Sequence, residues 1–148
     1  MIVVDAMILA YFLLRHPRFT DSVDRVFDDA PTCCGPALWR SELRNVLMKY
    51  VRAEEGAVPG SELDLPGALQ RMERAEALMA GRTFDVDTKN VLRLAHDSGC
   101  SPYDGEYVAL AQDLDTRLVT TDGPVLEAFP DTAVHPANFA PNGGEGAD

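Results

Sequence analysis

The chain has 148 residues, 46% of them hydrophobic and 25% charged, which suits one soluble globular domain and excludes both a disordered chain and two comfortable domains. A formal net charge of −11 excludes nonspecific nucleic-acid binding over a broad surface, but not an active site that engages nucleic acid through bound cations. No apolar run is long enough to cross a bilayer. The apolar start MIVVDAMILAYFLL is interrupted by Asp5 and lacks a basic leader and a cleavage site, so a cytoplasmic protein without signal peptide or membrane contact is expected.

In chain order, residues 2–4 read as a short buried strand. Asp5 at its carboxyl end caps a helix over 6–15, ended by His16-Pro17. A second helix is expected over 21–29, and Thr32-Cys33-Cys34 as a second strand. Cys33, Cys34 and Cys100 make an odd count with no CxxC or Cys/His spacing, so they read as buried free thiols. Pro36 starts a helix to about Arg52, with Trp39, Leu43, Val46, Leu47 and Tyr50 as its apolar stripe. Glu42 and Lys49 lie on the flank of that stripe, about 80° from its centre at roughly 100° per residue, with Asn45 further round. A loop over 53–61 leads to a helix through Leu69, Met72, Ala75 and Met79, which Pro66-Gly67 interrupts or precedes and Gly81 stops.

Residues 83–86 are a third strand. Asp87 caps a helix carrying Val91, Leu92, Leu94 and Ala95 that stops at Gly99. Ser101, Pro102 and Asp104 then form a helix start, with Tyr107, Leu110, Ala111 and Leu114 as the core face. Asp115-Thr116 is a turn, 118–120 a strand, 124–129 about one helical turn, and 132–135 the last strand. PNGGEGAD is Gly-rich and acidic, so a domain over 1–139 and a disordered tail over 140–148 are expected. Alternating short strands and helices predict an α/β fold with a short, mainly parallel central sheet flanked by helices.

Residues 104–114 rise about 15 Å as helix, and 116–122 return roughly 20 Å as strand. Asp122 therefore comes back beside Asp104. Ligands of open parallel sheets bind beyond the strands' carboxyl ends; Asp5 and Asp122 both follow strands, and Glu42 can lean over that edge. Two carboxylates at about 4 Å repel by around 4 kcal/mol at an effective dielectric near 20. Such a cluster protonates in part or takes a hard cation, Mg²⁺ or Mn²⁺, none of His16, His96 and His135 lying next to a proposed ligand. The chemistry this allows is phosphodiester hydrolysis. Each acid also has an ordinary reading: Asp5 as N-cap, Asp104 in a capping box with Ser101, Asp122 as cap of the turn at Gly123-Pro124, and Glu42 paired with Arg40, Arg44 or Asn45. Asp85, Asp87, Asp113 and Asp115 read as caps, turns and solvated faces. Arg15, Arg40, Arg44, Lys49 and Arg52 read as a solvated helix face, of which those flanking Glu42 can also guide an RNA backbone.

The runs VVDAMILAYFLL, PALWRSELRNVLMKY and SPYDGEYVALAQDLDTRLVTTD resemble the PIN domain, and more narrowly the VapC-type toxins of toxin–antitoxin pairs, over residues 1–139. The resemblance implies a PIN-like three-layer fold and an Mg²⁺- or Mn²⁺-dependent endoribonuclease acting as the toxin of a type II pair. It places metal-binding acids at Asp5, Glu42, Asp104 and Asp122, a hydroxyl at Thr120 and an amide at Asn45. It also implies a homodimer and a cognate antitoxin whose C-terminal segment covers the groove. Two departures stand out: Met7 where a small polar residue is usual, and Gly123-Pro124 where a basic residue is common. Met7 and the negative charge motivate an alternative, a non-catalytic PIN-like module binding RNA or protein. A phosphatase or phospho-acceptor domain ranks last, because the second Asp it wants two residues after the first is Met7.

Overall fold

A computed structural model describes residues 1–29, 32–54 and 62–140. Helices and strands alternate along it: β1 (Ile2–Val4), α1 (Ala6–Leu14), α2 (Thr20–Asp29), β2 (Cys33–Pro36), α3 (Leu38–Val51), α4 (Leu65–Leu78), β3 (Thr83–Phe84), α5 (Thr88–Ser98), α6 (Pro102–Asp113), β4 (Leu118–Val119), α7 (Gly123–Ala128) and β5 (Ala133–Val134). A 3-10 turn, Pro136–Asn138, follows. Residues 141–148 of the expected tail and most of the 53–61 loop lie outside the described residues.

Local chemistry explains where the helices begin. Asp5, Asp64, Asp87, Ser101 and Asp122 each accept, through a side-chain oxygen, the backbone N–H three residues on. Each thereby satisfies one of the donors that a helix start leaves unpaired. The helix expected from Pro36 starts instead at Leu38. Pro36 closes β2, paired with Phe84 of β3, and its missing N–H is tolerated at a strand end. Gly81 does not end α4, which stops at Leu78; it bends the following turn at φ 73°. Pro66 sits inside the first turn of α4 and does not interrupt it.

All strand pairs are parallel, in the order β3-β2-β1-β4-β5. The chain steps from β1 out to β2 and β3, then crosses back to β4 and β5. Right-handed crossovers therefore put α1 to α4 on one face and α5 to α7 on the other. The packing agrees: α1 lies against α2, α3 and α4, while α6 lies on β1, β2 and β4 and against α5. Between the layers, Val3, Val4, Ile8, Leu9, Trp39, Leu43, Val108 and Val119 are fully buried. The crossing of α5 and α6 is close because Gly105 has no side chain; a Cβ there would meet the Val91 carbonyl oxygen at 3.1 Å.

The cysteines are free. Cys33 and Cys34 are buried, which pushes both thiols up to about 11 and leaves them inert at neutral pH. Cys100 is only partly buried. No helix among the described residues is long and apolar enough to cross a membrane.

Leu43 is 0% exposed on the inner face of α3. Leu43→Ala is expected to lower the unfolding free energy by about 2–5 kcal/mol, read as a shift of the urea midpoint.

Candidate active site

The sheet reverses its strand order between β1 and β4, and that pair's register builds the site floor. Val3 pairs with Leu118 and Val4 with Val119, so the next residues, Asp5 and Thr120, stand level. The Thr120 hydroxyl donates to Asp5 Oδ2 at 2.5 Å and accepts the Asp122 N–H at 3.1 Å. Asp5 Oδ1 takes the Ile8 N–H at 3.0 Å as the cap of α1. Asp122 Oδ1 takes the Val125 N–H at 3.0 Å as the cap of α7. One buried hydroxyl thus ties the end of β1 to the turn after β4.

The walls come from two helices on opposite faces of the sheet. On α3, Glu42, Asn45, Val46 and Lys49 recur at helical spacing and line one cleft. On α6, Asp104 and Tyr107, three residues apart, line it from the other side. Asp5, Met7, Thr121 and Asp122 complete it, enclosing about 320 Å³. Asp5, Glu42, Asp104 and Asp122 therefore share one cleft, with Thr120 buried beneath it. Among the described residues, no three His, Cys, Asp or Glu side chains stand close enough together to hold an ion as they are placed.

Two of the four ordinary readings of these acids are overturned. The Ser101 hydroxyl accepts the Asp104 N–H at 3.1 Å, but the reciprocal bond of a capping box does not form, and the Asp104 carboxylate has no hydrogen bond among the described residues. Glu42 pairs with none of Arg40, Arg44 and Asn45. Arg40 is bound to Glu76 at 3.1 Å, while Glu42 Oε1 accepts the Tyr107 hydroxyl at 2.6 Å. Arg15 and Arg52 belong to pairs with Asp24 and Glu54, which leaves Lys49 as the cation lining the cleft. Asp5 and Asp122 do cap helices, and they do so from within the cleft wall.

Burial pushes the Asp5 carboxyl up to about 6, against the pull of its Thr120 and Ile8 hydrogen bonds, and repulsion from Glu42 and Asp122 adds to the rise. Burial also raises Glu42; the Tyr107 hydrogen bond opposes this, and Asp104 and Glu106 reinforce it. Tyr107 is raised as well, by burial and then by its acceptor Glu42, so its phenol stays protonated. The cleft thus concentrates negative charge that neighbouring groups offset only in part. Tyr107 lies in the core, as its helical spacing predicts, and also lines the cleft. Its spacing of three from Asp104 was the signal that it shares the cleft face.

No protein-family model matches this sequence, and no curated protein matches it. The fold does have solved counterparts. PAE2754 from Pyrobaculum aerophilum is similar at a TM-score of 0.65 and 22% identity, over 88% of this chain and 81% of that one. A toxin–antitoxin complex from Klebsiella pneumoniae contains a chain similar at a TM-score of 0.66 and 15% identity, over 94% and 100%. FitAcB from Neisseria gonorrhoeae gives a TM-score of 0.65 at 18% identity, over 94% and 100%. Likeness at these identities establishes the fold, and the expected PIN-like three-layer architecture is what the chain adopts.

The pH dependence follows from Asp5. Its folded pKa, about 6, lies above the ordinary 3.8, so between these values the folded state holds the proton more tightly. Stability from this group is full below the lower value and is lost as pH rises through the upper one. Without added metal, the wild type is expected to lose about 1–3 kcal/mol relative to Asp5→Asn between those pH values. Parallel urea titrations of the two proteins measure this; asparagine still caps Ile8.

Proposed function

We propose that this chain is a metal-dependent endoribonuclease that hydrolyses RNA phosphodiester bonds and acts as the toxin of a type II toxin–antitoxin pair. One observation carries the reading: four carboxylates from remote parts of the chain line a single cleft at the sheet's switch point. The donors are all oxygen, which suits Mg²⁺ or Mn²⁺. The lack of a ready three-ligand group among the described residues is compatible with this, because Mg²⁺ is usually held by one or two carboxylates, with water and substrate phosphate completing its shell. Asp5, Glu42, Asp104 and Asp122 would hold the cation. When bound, it lowers the pKa of a water and offsets charge on the scissile phosphate.

The chain's own residues do the rest. Thr120 keeps Asp5 turned toward the cleft while sharing its hydroxyl with the Asp122 backbone. Lys49, two turns along α3 from Glu42, meets a phosphate flanking the scissile one, and Asn45 between them offers an amide. A protein of net charge −11 can thereby admit a polyanion locally while repelling it elsewhere. The toxin role draws support from the fold shared with the Klebsiella pneumoniae toxin–antitoxin complex. A cognate antitoxin and a homodimer belong to the same proposal. Met7 on the cleft wall favours a second reading, a non-catalytic PIN-like module that binds RNA or protein.

Calorimetry with Mn²⁺ and cleavage of labelled RNA separate the two. The wild type should bind Mn²⁺ and cleave, and Asp5→Ala and Asp104→Asn should each cleave at least about 100-fold more slowly. Equal cleavage by all three would identify a contaminating nuclease, and no Mn²⁺ binding would favour the module. Lys49→Ala is expected to raise KM, leave Mn²⁺ affinity unchanged and reduce the salt dependence of RNA binding by about one counterion.

A further inference from the structure

Unlike Asp5 and Asp122, Glu42 caps no helix. It stands on α3, half-buried at the cleft wall, and a glutamate has three side-chain torsions to restrain. Among the described residues, one side chain hydrogen-bonds to it: Tyr107, 65 positions away on α6, whose hydroxyl donates to Oε1 at 2.6 Å. Oε2 is left without a hydrogen-bond partner among the described residues. The backbone N–H of Ala6, the first residue of α1 and the neighbour of Asp5, lies near enough to the phenol to oppose its rise. Tyr107 is 4% exposed, and its ring is packed in the core between the layers. A buried ring thus stands where three elements come together: the start of α1, the middle of α3 and the first turns of α6.

We infer that Tyr107 is a positioning residue of the nuclease site, a phenol clamp that fixes one oxygen of Glu42 and leaves the other for the cation, in register with Asp5. The inference rests on the metal-dependent reading above and adds a residue to it. The clamp has a fixed polarity, because the protonated phenol can only donate to the carboxylate. It also acts on geometry more than on charge. A carboxylate held by a short hydrogen bond keeps one rotamer, and an oriented ligand binds metal more tightly than a free one, typically by 10–100-fold.

The test is a double-mutant cycle of Tyr107→Phe and Glu42→Ala, read by Mn²⁺ calorimetry and by RNA cleavage, with thermal unfolding alongside. Phenylalanine keeps the buried ring. Tyr107→Phe is expected to weaken Mn²⁺ binding by roughly 10- to 100-fold in the wild-type background, and by less than about two-fold once Glu42 is alanine. Equal losses in both backgrounds would make Tyr107 a packing residue and overturn the inference, and so would no loss in either. If the wild type itself neither binds Mn²⁺ nor cleaves RNA, the nuclease reading falls and takes this inference with it. Should Tyr107→Phe fail to fold, side-chain NMR relaxation of the metal-free wild type decides. Glu42 should be markedly more ordered than the exposed Glu127, and equal mobility would overturn the clamp.

Discussion

Parallel pairing of β1 with β4 is the constraint on which the rest of the molecule depends. The two strands are distant in sequence, and each is only two or three residues long. Their register sets Asp5 level with Thr120, and the side chain-to-side chain bond between them forms where the backbone ladder ends. From that point the chain diverges into α1 on one side and, through Thr120 and Asp122, into α7 on the other. Slipping the pair by one residue would turn Thr120 to the opposite face and break its bond to Asp5.

The same junction gathers negative charge, and the fold supplies partial relief. Two of the acids sit at helix caps and Asp104 in a first helical turn, where the macrodipole contributes about 0.3–1 kcal/mol each. Charge-assisted hydrogen bonds, at roughly 1.5–3 kcal/mol, hold Asp5 and Glu42. Repulsion among the acids is smaller than this relief, and it is desolvation that tips Asp5 and Glu42 upward. A site in this state gains from a cation or a proton. Lys49 lines the same cleft but is exposed to solvent.

The fold persists at 15–22% identity to its solved counterparts because its requirements are generic: short apolar strands, caps at helix starts and a reversal of strand order. The cleft is more demanding, since it needs residues at specific heights above the sheet. Helix α6 shows the difference. Most of it is buried among Val108, Leu110 and Ala111, where many apolar residues would serve. Its first turns carry Asp104 and Tyr107, whose partners lie on other elements and restrict the choice.

From the sequence alone came the alternation of strand and helix, the caps at Asp5, Asp87, Ser101 and Asp122, and the return of Asp122 toward Asp104. All of these are local or depend only on the rise per residue of helix and strand. Asp64 escaped notice because the segment before it has no clear period, and Pro36 misled because proline fits a helix start and a strand end equally well. Only the tertiary structure decided that Glu42 is held by Tyr107, that Arg40 is taken by Glu76, and that Thr120 links two acids. Those choices depend on which helices face each other across the sheet and at what height. That information lies in crossover handedness and strand register, which no single stretch of sequence contains.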